Sequence, residues 1–156
     1  KSKEKVKLAD LLNNAFGIIK QSLIRENIDF ICEYENLQKP IKLYSSELIQ
    51  VFLNLMKNSM DALIELKVTK PYILVRGSEY DDKSVISFED NGGGISDTIM
   101  DKIFEPYFST KKSGTGLGLA IVSNIISDHN GYIRVRDNIP SGTKINIELP
   151  IKALPI

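Results

Sequence analysis

Asn54 and Asn58 lie four residues apart in an apolar run that reads as a helix, so their amides project from one face. Val51, Phe52, Leu55 and Met56 would bury most of that helix, and an amide beside a buried face needs something to satisfy it. An amide oxygen is a hard, neutral donor suited to Mg2+, which keeps several waters and takes most of its charge neutralisation from phosphates. Alone, the pair reads as hydrogen-bonded structure before it reads as a ligand set. Asp90 ends a strand pattern and runs into Asn91-Gly92-Gly93-Gly94-Ile95. A carboxylate there can accept from an exocyclic amine such as the 6-amino group of adenine, and glycines let the backbone approach a flat base. A strand-to-helix turn with a capping acid is the competing reading. Gly114-Thr115-Gly116-Leu117-Gly118 opens a further helix, where free backbone N–H groups and the helix dipole form an anion site. No G-x-x-x-x-G-K-S/T run occurs anywhere. The G-x-G-x-G spacing behind a lysine-rich loop is not a dinucleotide fingerprint either, and glycines that serve only a turn remain the plain alternative.

The elements that must position these groups follow from periodicity. Leu11, Leu12, Ala15, Ile18, Ile19 and Leu23 predict a helix from Asp10, its N-cap, to about Glu26. Strands are expected over Ile28–Tyr34 and Ile41–Tyr44, then a long helix from Ser45 to about Leu66 with Glu47 in its positive first turn. Tyr72–Arg76 and Val85–Glu89 alternate around an Asp81-Asp82 turn and read as neighbouring antiparallel strands. A short helix is expected from about Ser96 to Ile103, an irregular loop over Glu105–Thr115, and a helix over about Leu117–Asp128 stopped by Asn130-Gly131. Strands Tyr132–Arg136 and Thr143–Leu149 finish the chain, with Pro140-Ser141-Gly142 in the turn. About three longer helices and up to six strands in consecutive pairs favour a two-layer α/β sandwich of the α+β class over an alternating parallel fold.

The 156 residues suit one domain, and 42% hydrophobic with 26% charged is the composition of an ordinary globular chain. Twenty basic and twenty acidic side chains cancel, so no global field draws it to nucleic acid or an anionic membrane. The single cysteine, Cys32, excludes an intrachain disulfide and any multi-cysteine metal site, and it sits in a strand pattern as a packed or solvated residue. No apolar run approaches the roughly 20 residues of a membrane span. The chain starts at Lys1, as expected of a piece cut from something longer.

The order of these elements resembles the histidine kinases. Gln50-Val51-Phe52-Leu53-Asn54-Leu55-Met56-Lys57-Asn58-Ser59 resembles their N-box, and Asp90-Asn91-Gly92-Gly93-Gly94-Ile95 their first glycine box. Ile103-Phe104-Glu105-Pro106-Tyr107-Phe108-Ser109-Thr110-Lys111 looks like the F-box, and Gly114 to Gly118 with Leu119-Ala120-Ile121-Val122 like the second glycine box. Gly142-Thr143 and Leu149-Pro150 fit the close of the same domain, so the resemblance runs from about residue 8 to 150.

The resemblance implies a Bergerat-type sandwich, a mixed and mostly antiparallel sheet covered on one face by about three helices, that binds ATP or ADP with Mg2+. Asn58 would ligate the metal with Asn54 assisting. Asp90 would read the adenine amine, directly and through water shared with Thr143. Gly92 and Gly94 would admit the base, and Ile95 would lie against it. Backbone amides around Gly114, Thr115, Gly116, Leu117 and Gly118 would hold the phosphates, and Lys111 or Lys112 would neutralise the γ-phosphate or stay solvated. Phe104, Tyr107 and Phe108 would anchor a lid over about Glu105–Ser113, face the histidine-bearing helices, or simply pack in the core. The reaction would be phosphoryl transfer from ATP to a histidine on a separate dimerisation domain, with a response regulator downstream, in the cytoplasm of a parent that could be membrane-anchored. The chain would be one catalytic domain lacking the phosphoacceptor helices and unable to autophosphorylate alone, with no nucleic-acid or direct membrane contact. Its one histidine, His129, sits at a helix end, where an imidazolium complements the negative terminus.

Two positions depart from the pattern. Gyrase-type and Hsp90-type ATPases carry a glutamate four residues before the metal-binding asparagine, whereas Asn54 stands here and cannot act as a base. Many histidine kinases place a basic residue three positions after that asparagine, where this chain has Asp61, which can take a water of the metal shell or be solvated. The alternatives are therefore an ATPase clamp of the same superfamily and a non-catalytic nucleotide-binding module.

Overall fold

The computed structural model describes residues 2–94, 102–104, 118–137 and 141–151. Among these, seven strands and three helices follow in the order β1 (Glu4–Val6), α1 (Leu8–Arg25), β2 (Asp29–Glu33), β3 (Ile41–Leu43), α2 (Ser45–Glu65), β4 (Tyr72–Tyr80), β5 (Lys83–Asp90), α3 (Gly118–Asp128), β6 (Tyr132–Asp137) and β7 (Thr143–Pro150). Five strands form one sheet in the order β2-β4-β5-β7-β6, and β1 pairs with β3 in a separate ribbon. All pairs are antiparallel except β2 with β4. The fold is α+β, a mixed sheet under a helical layer, as the sequence predicts.

Strand alternation decides which face meets the helices. Ile86 and Phe88 of β5 register with Ile147 and Ile145 of β7, and all four are buried with Ile73 and Val75 of β4. From the helical layer, Leu12, Ala15, Leu48, Val51, Phe52, Leu55 and Met56 complete this core. Phe52 and Phe88 meet there at 5.9 Å between ring centroids. Asp90 is the next residue of period two after Phe88, so it points to the same face at the strand's end. Covered by α2 and almost wholly buried, it is a carboxylate that the core-facing register carries inward.

Several boundaries differ from expectation for physical reasons. Helix α1 starts at Leu8, with Lys7 at the N-cap position and Asp10 inside the first turn, so Asp10 is not the cap. Pairing of Glu4–Val6 with Ile41–Leu43, an interaction no local pattern announces, fixes the entry and buries Leu8. Asn27, at φ 55°, ends the helix, and the Ile28 N–H bonds back to Leu23 O. Strands β4 and β5 extend to a two-residue hairpin at Asp81 and Asp82, both at positive φ. The consecutive pairing expected of β2 and β3 does not occur, because β3 turns away to join β1. The expected helix over Ser96–Ile103 and the loop over Glu105–Thr115 lie outside the described residues, apart from a turn at residues 102–104.

Candidate nucleotide-binding site

The site is built outward from Asp90. Its Oδ2 accepts from the Ser59 hydroxyl at 2.9 Å, and its Oδ1 accepts from the Gly92 N–H at 2.9 Å and the Thr143 N–H at 3.3 Å. Burial pushes the carboxyl above its ordinary value, opposed by the three hydrogen bonds from Gly92, Ser59 and Thr143. The buried carboxylate is an acceptor-only group carried at the end of β5. That is the chemistry a purine amine needs.

Two glycines make the approach to Asp90 possible. Gly142 has φ +112°, and a Cβ there would sit 1.8 Å from the Asp90 carbonyl oxygen. Gly94 has φ +79°, with the Gly142 carbonyl oxygen 3.0 Å from where its Cβ would be. The strand exit at residues 90–94 and the turn before β7 therefore lie against each other, which brings Thr143 to Asp90. Asn91 fixes the exit from the other side, its Oδ1 accepting from the Tyr72 N–H at 2.9 Å and its Nδ2 donating to Lys70 O at 3.1 Å.

Asn54, Asn58 and Asp61 recur at helical spacing along α2 and are all half-buried, neither in the core nor fully in water. They form one stripe of oxygen donors next to Ser59, whose hydroxyl ties the same helix to Asp90. Hard oxygen donors at a half-solvated edge fit Mg2+, which retains waters and binds few protein ligands. Helix α3, which begins at Gly118, packs against α2.

The structure thus brings together Asn58 through its neighbour Ser59, with Asp90, Gly92, Gly94 and Thr143, and sets Asn54, Asp61 and Gly118 on the adjoining helices. Ile95, Tyr107, Phe108, Lys111, Lys112, Gly114, Thr115, Gly116 and Leu117 lie outside the described residues. Phe104 is half-buried, and Ile103 is buried. Sequence reasoning missed Ser59, whose contact with Asp90 spans 31 residues of chain, and the structural use of Asn91 and Gly142. Cys32 is an exposed strand residue.

His129 is buried just beyond α3, as expected of a residue that finishes a helix, but its ring is neutral and not an imidazolium. Nε2 accepts from the Tyr44 N–H at 3.1 Å, so the proton is on Nδ1, which donates to Ile125 O at 2.8 Å.

The family described as histidine kinase-, DNA gyrase B-, and HSP90-like ATPase matches residues 44–153, which span α2 to the end of β7. The signal transduction histidine-protein kinase AtoS of Escherichia coli is 36% identical over 149 residues, covering 95% of this chain and 24% of that protein. Sporulation kinase D of Bacillus subtilis is 30% identical over 147 residues, 94% of this chain and 28% of that protein. The chain therefore spans about a quarter of the length of these relatives. The nucleotide-free catalytic domain of the histidine kinase ThkA superposes with a TM-score of 0.86 at 28% identity, over 97% of both chains. ThkA in complex with the response regulator TrrA superposes with a TM-score of 0.82 at 26% identity, over 96% of this chain and 42% of that one. Among the described residues no helix is long and apolar enough to cross a membrane. Fold, motif order and the carboxylate at the end of β5 agree: the chain belongs to the histidine kinase-, DNA gyrase B-, and HSP90-like ATPase family, and is an ATP-binding catalytic domain of the kind that sensor histidine kinases carry.

Proposed function

We propose that this chain holds Mg-ATP between α2, the exit of β5 and the start of α3, and presents the γ-phosphate to a histidine on a separate dimerisation domain of the same parent protein. The observation that carries the reading is the Asp90 carboxylate, buried on the core-facing register at the end of β5, with the Asn58 helix bonded to it through Ser59. In this reading Asp90 accepts the adenine 6-amino group, Thr143 lies beside it, and Gly92 and Gly94 leave room for the base with Ile95 against it. Asn58 ligates Mg2+, with Asn54 and Asp61 at hand to take its waters. Magnesium, when bound, supplies charge neutralisation on the phosphate oxygens. The backbone amides from Gly114 to Gly118 hold those phosphates, and Lys111 adds positive charge. Phosphoryl transfer needs positioning and electrostatics more than covalent help, which suits a site of amides and backbone donors. Residues 1–156 then form one catalytic unit with its core at about 8–150. The acceptor helices lie elsewhere in a parent that signals to a response regulator, with this domain in the ATP-rich cytoplasm.

Calorimetric titration of the purified chain, with and without Mg2+, tests the reading. The expected result is Mg-dependent ATP binding whose Mg-dependent part disappears in Asn58→Ala, while affinity measured in EDTA stays unchanged. Loss of binding to the same degree with and without the metal would remove Asn58 as a metal ligand. Transfer of labelled phosphate to the parent's histidine-bearing domain, added separately, tests the reaction.

A further inference from the structure

His129 has no chemical part in the reading above, yet it is 6% exposed and both of its ring nitrogens are engaged. Nδ1 locks the ring onto the last turn of α3 through Ile125 O, and Nε2 takes the N–H of Tyr44, the residue immediately before α2. The Tyr44 ring meets the imidazole edge-on at 5.6 Å and 82°. One hydrogen bond therefore joins the distal end of the helix that opens at the second glycine box to the near end of the helix that carries Asn54 and Asn58.

From His129 back to Gly118 is eleven residues, about 16 Å at the helical rise; from Tyr44 forward to Asn54 is ten, about 15 Å, and to Asn58 fourteen, about 21 Å, so the start of α3 is set at the Asn54 end of the donor stripe. Apolar burial between helices is non-directional, whereas a hydrogen bond is directional and opposes axial sliding at one fixed point. A slip of one residue displaces the start of α3 by about 1.5 Å, enough to misplace a phosphate against a metal ligand.

We infer that the His129–Tyr44 hydrogen bond sets the axial register of α3 against α2, which makes His129 a positioning residue for the phosphate end of the nucleotide and not for its base. The inference rests on the Mg-ATP reading of the site. The base end is held by Asp90, Ser59, Gly92 and Thr143, whose hydrogen bonds with one another do not involve His129.

The test is calorimetric titration of the wild type, His129→Phe, His129→Asn and His129→Gln with Mg-ATP and with adenosine. A glutamine amide reaches the place of Nε2, and an asparagine amide reaches only that of Nδ1. Phenylalanine and asparagine are expected to raise the Kd for Mg-ATP by about tenfold, the worth of one hydrogen bond, with adenosine affinity unmoved and glutamine restoring the loss. Equal losses for both ligands, or none in folded variants, overturn the inference. Should Phe and Asn fail to fold, nitrogen NMR of the wild-type ring decides: Mg-ATP but not adenosine must shift the Nε2 resonance, and a ring indifferent to Mg-ATP overturns the inference. Wild type that binds neither ligand removes the Mg-ATP reading, and the inference with it. Wild-type binding with indistinguishable variants removes the register alone.

Discussion

Asp90→Asn separates the carboxylate's role in folding from the role in base recognition proposed for it. Asparagine keeps the shape and can keep all three hydrogen bonds: its Oδ1 still accepts from the Gly92 and Thr143 N–H groups, and its Nδ2 donates to a rotated Ser59 hydroxyl. The substituted group then presents a donor where the adenine amine needs an acceptor. Loss of a hydrogen bond to a charged partner costs about 1.5–3 kcal/mol, so the Kd for ATP should rise roughly tenfold to a hundredfold. Stability should move the other way. Burial raises the carboxyl's folded-state value, so the folded protein binds a proton more readily than the unfolded chain does. Asp90's contribution is therefore fullest below the ordinary carboxylate value near pH 4 and declines as pH rises toward the raised one. Asparagine carries no such term. The melting temperature of Asp90→Asn relative to wild type should increase between acid and neutral pH. Asp90→Ala is the less informative variant, because two buried backbone donors left without acceptors cost about 1–3 kcal/mol each and confound folding with binding. The measurements are calorimetry with ATP and melting scans across that pH range. Wild-type ATP affinity in a folded Asp90→Asn protein would refute the assignment of Asp90 to the base.

Gly142→Ala forces a methyl 1.8 Å from the Asp90 carbonyl oxygen at φ +112°, so it should lower stability by about 3 kcal/mol or more in urea denaturation. An unchanged midpoint would mean the turn is not pressed against the strand exit. Ser59→Ala removes a side-chain donor to Asp90 without touching the backbone. It should weaken ADP binding by about five- to tenfold, roughly 1 kcal/mol, while Gly92 and Thr143 still hold the carboxylate. Unaltered ADP affinity would show that the hydroxyl does not orient the carboxylate.

What the sequence disclosed and what it withheld follow from how local each signal is. The helices were legible because α1 and α2 bury stripes of Leu, Ile, Val and Phe at helical spacing, and the hairpin at Asp81-Asp82 because turn residues interrupt two alternating strands. Strand β1 was not legible: three residues, Glu4–Val6, are a strand only because Ile41–Leu43 pairs with them, and the same contact moved the start of α1 back from Asp10. The parallel pairing of β2 with β4 is equally non-local, set by α2 crossing between them in the chain. Asp90 could be singled out from its neighbours, but Ser59 could not, since nothing along the chain says that a serine on α2 faces a carboxylate 31 residues later. The neutral form of His129 depended on a backbone N–H 85 residues away.

The pattern of donors along α2 also bears on which reaction the site favours. Direct hydrolysis of ATP needs a group that takes a proton from water, and the place where a related ATPase carries glutamate holds the half-buried amide of Asn54. Asp61, one turn beyond Asn58 on the same stripe, lies on the other side of the asparagine and not at that place. On the proposed reading, a site with an amide in the position of the base would preserve the nucleotide until an acceptor arrives. The acceptor nitrogen for the transfer proposed above cannot be the chain's own, because its single histidine has Nδ1 donating to Ile125 O and Nε2 accepting from Tyr44 inside the fold. On the proposed reading it comes from an imidazole outside this chain, and docking of that group rather than nucleotide binding is expected to set the rate of transfer. Raising the concentration of a separately supplied acceptor domain should then accelerate phosphorylation at saturating ATP, and a rate indifferent to that concentration would contradict the division of labour.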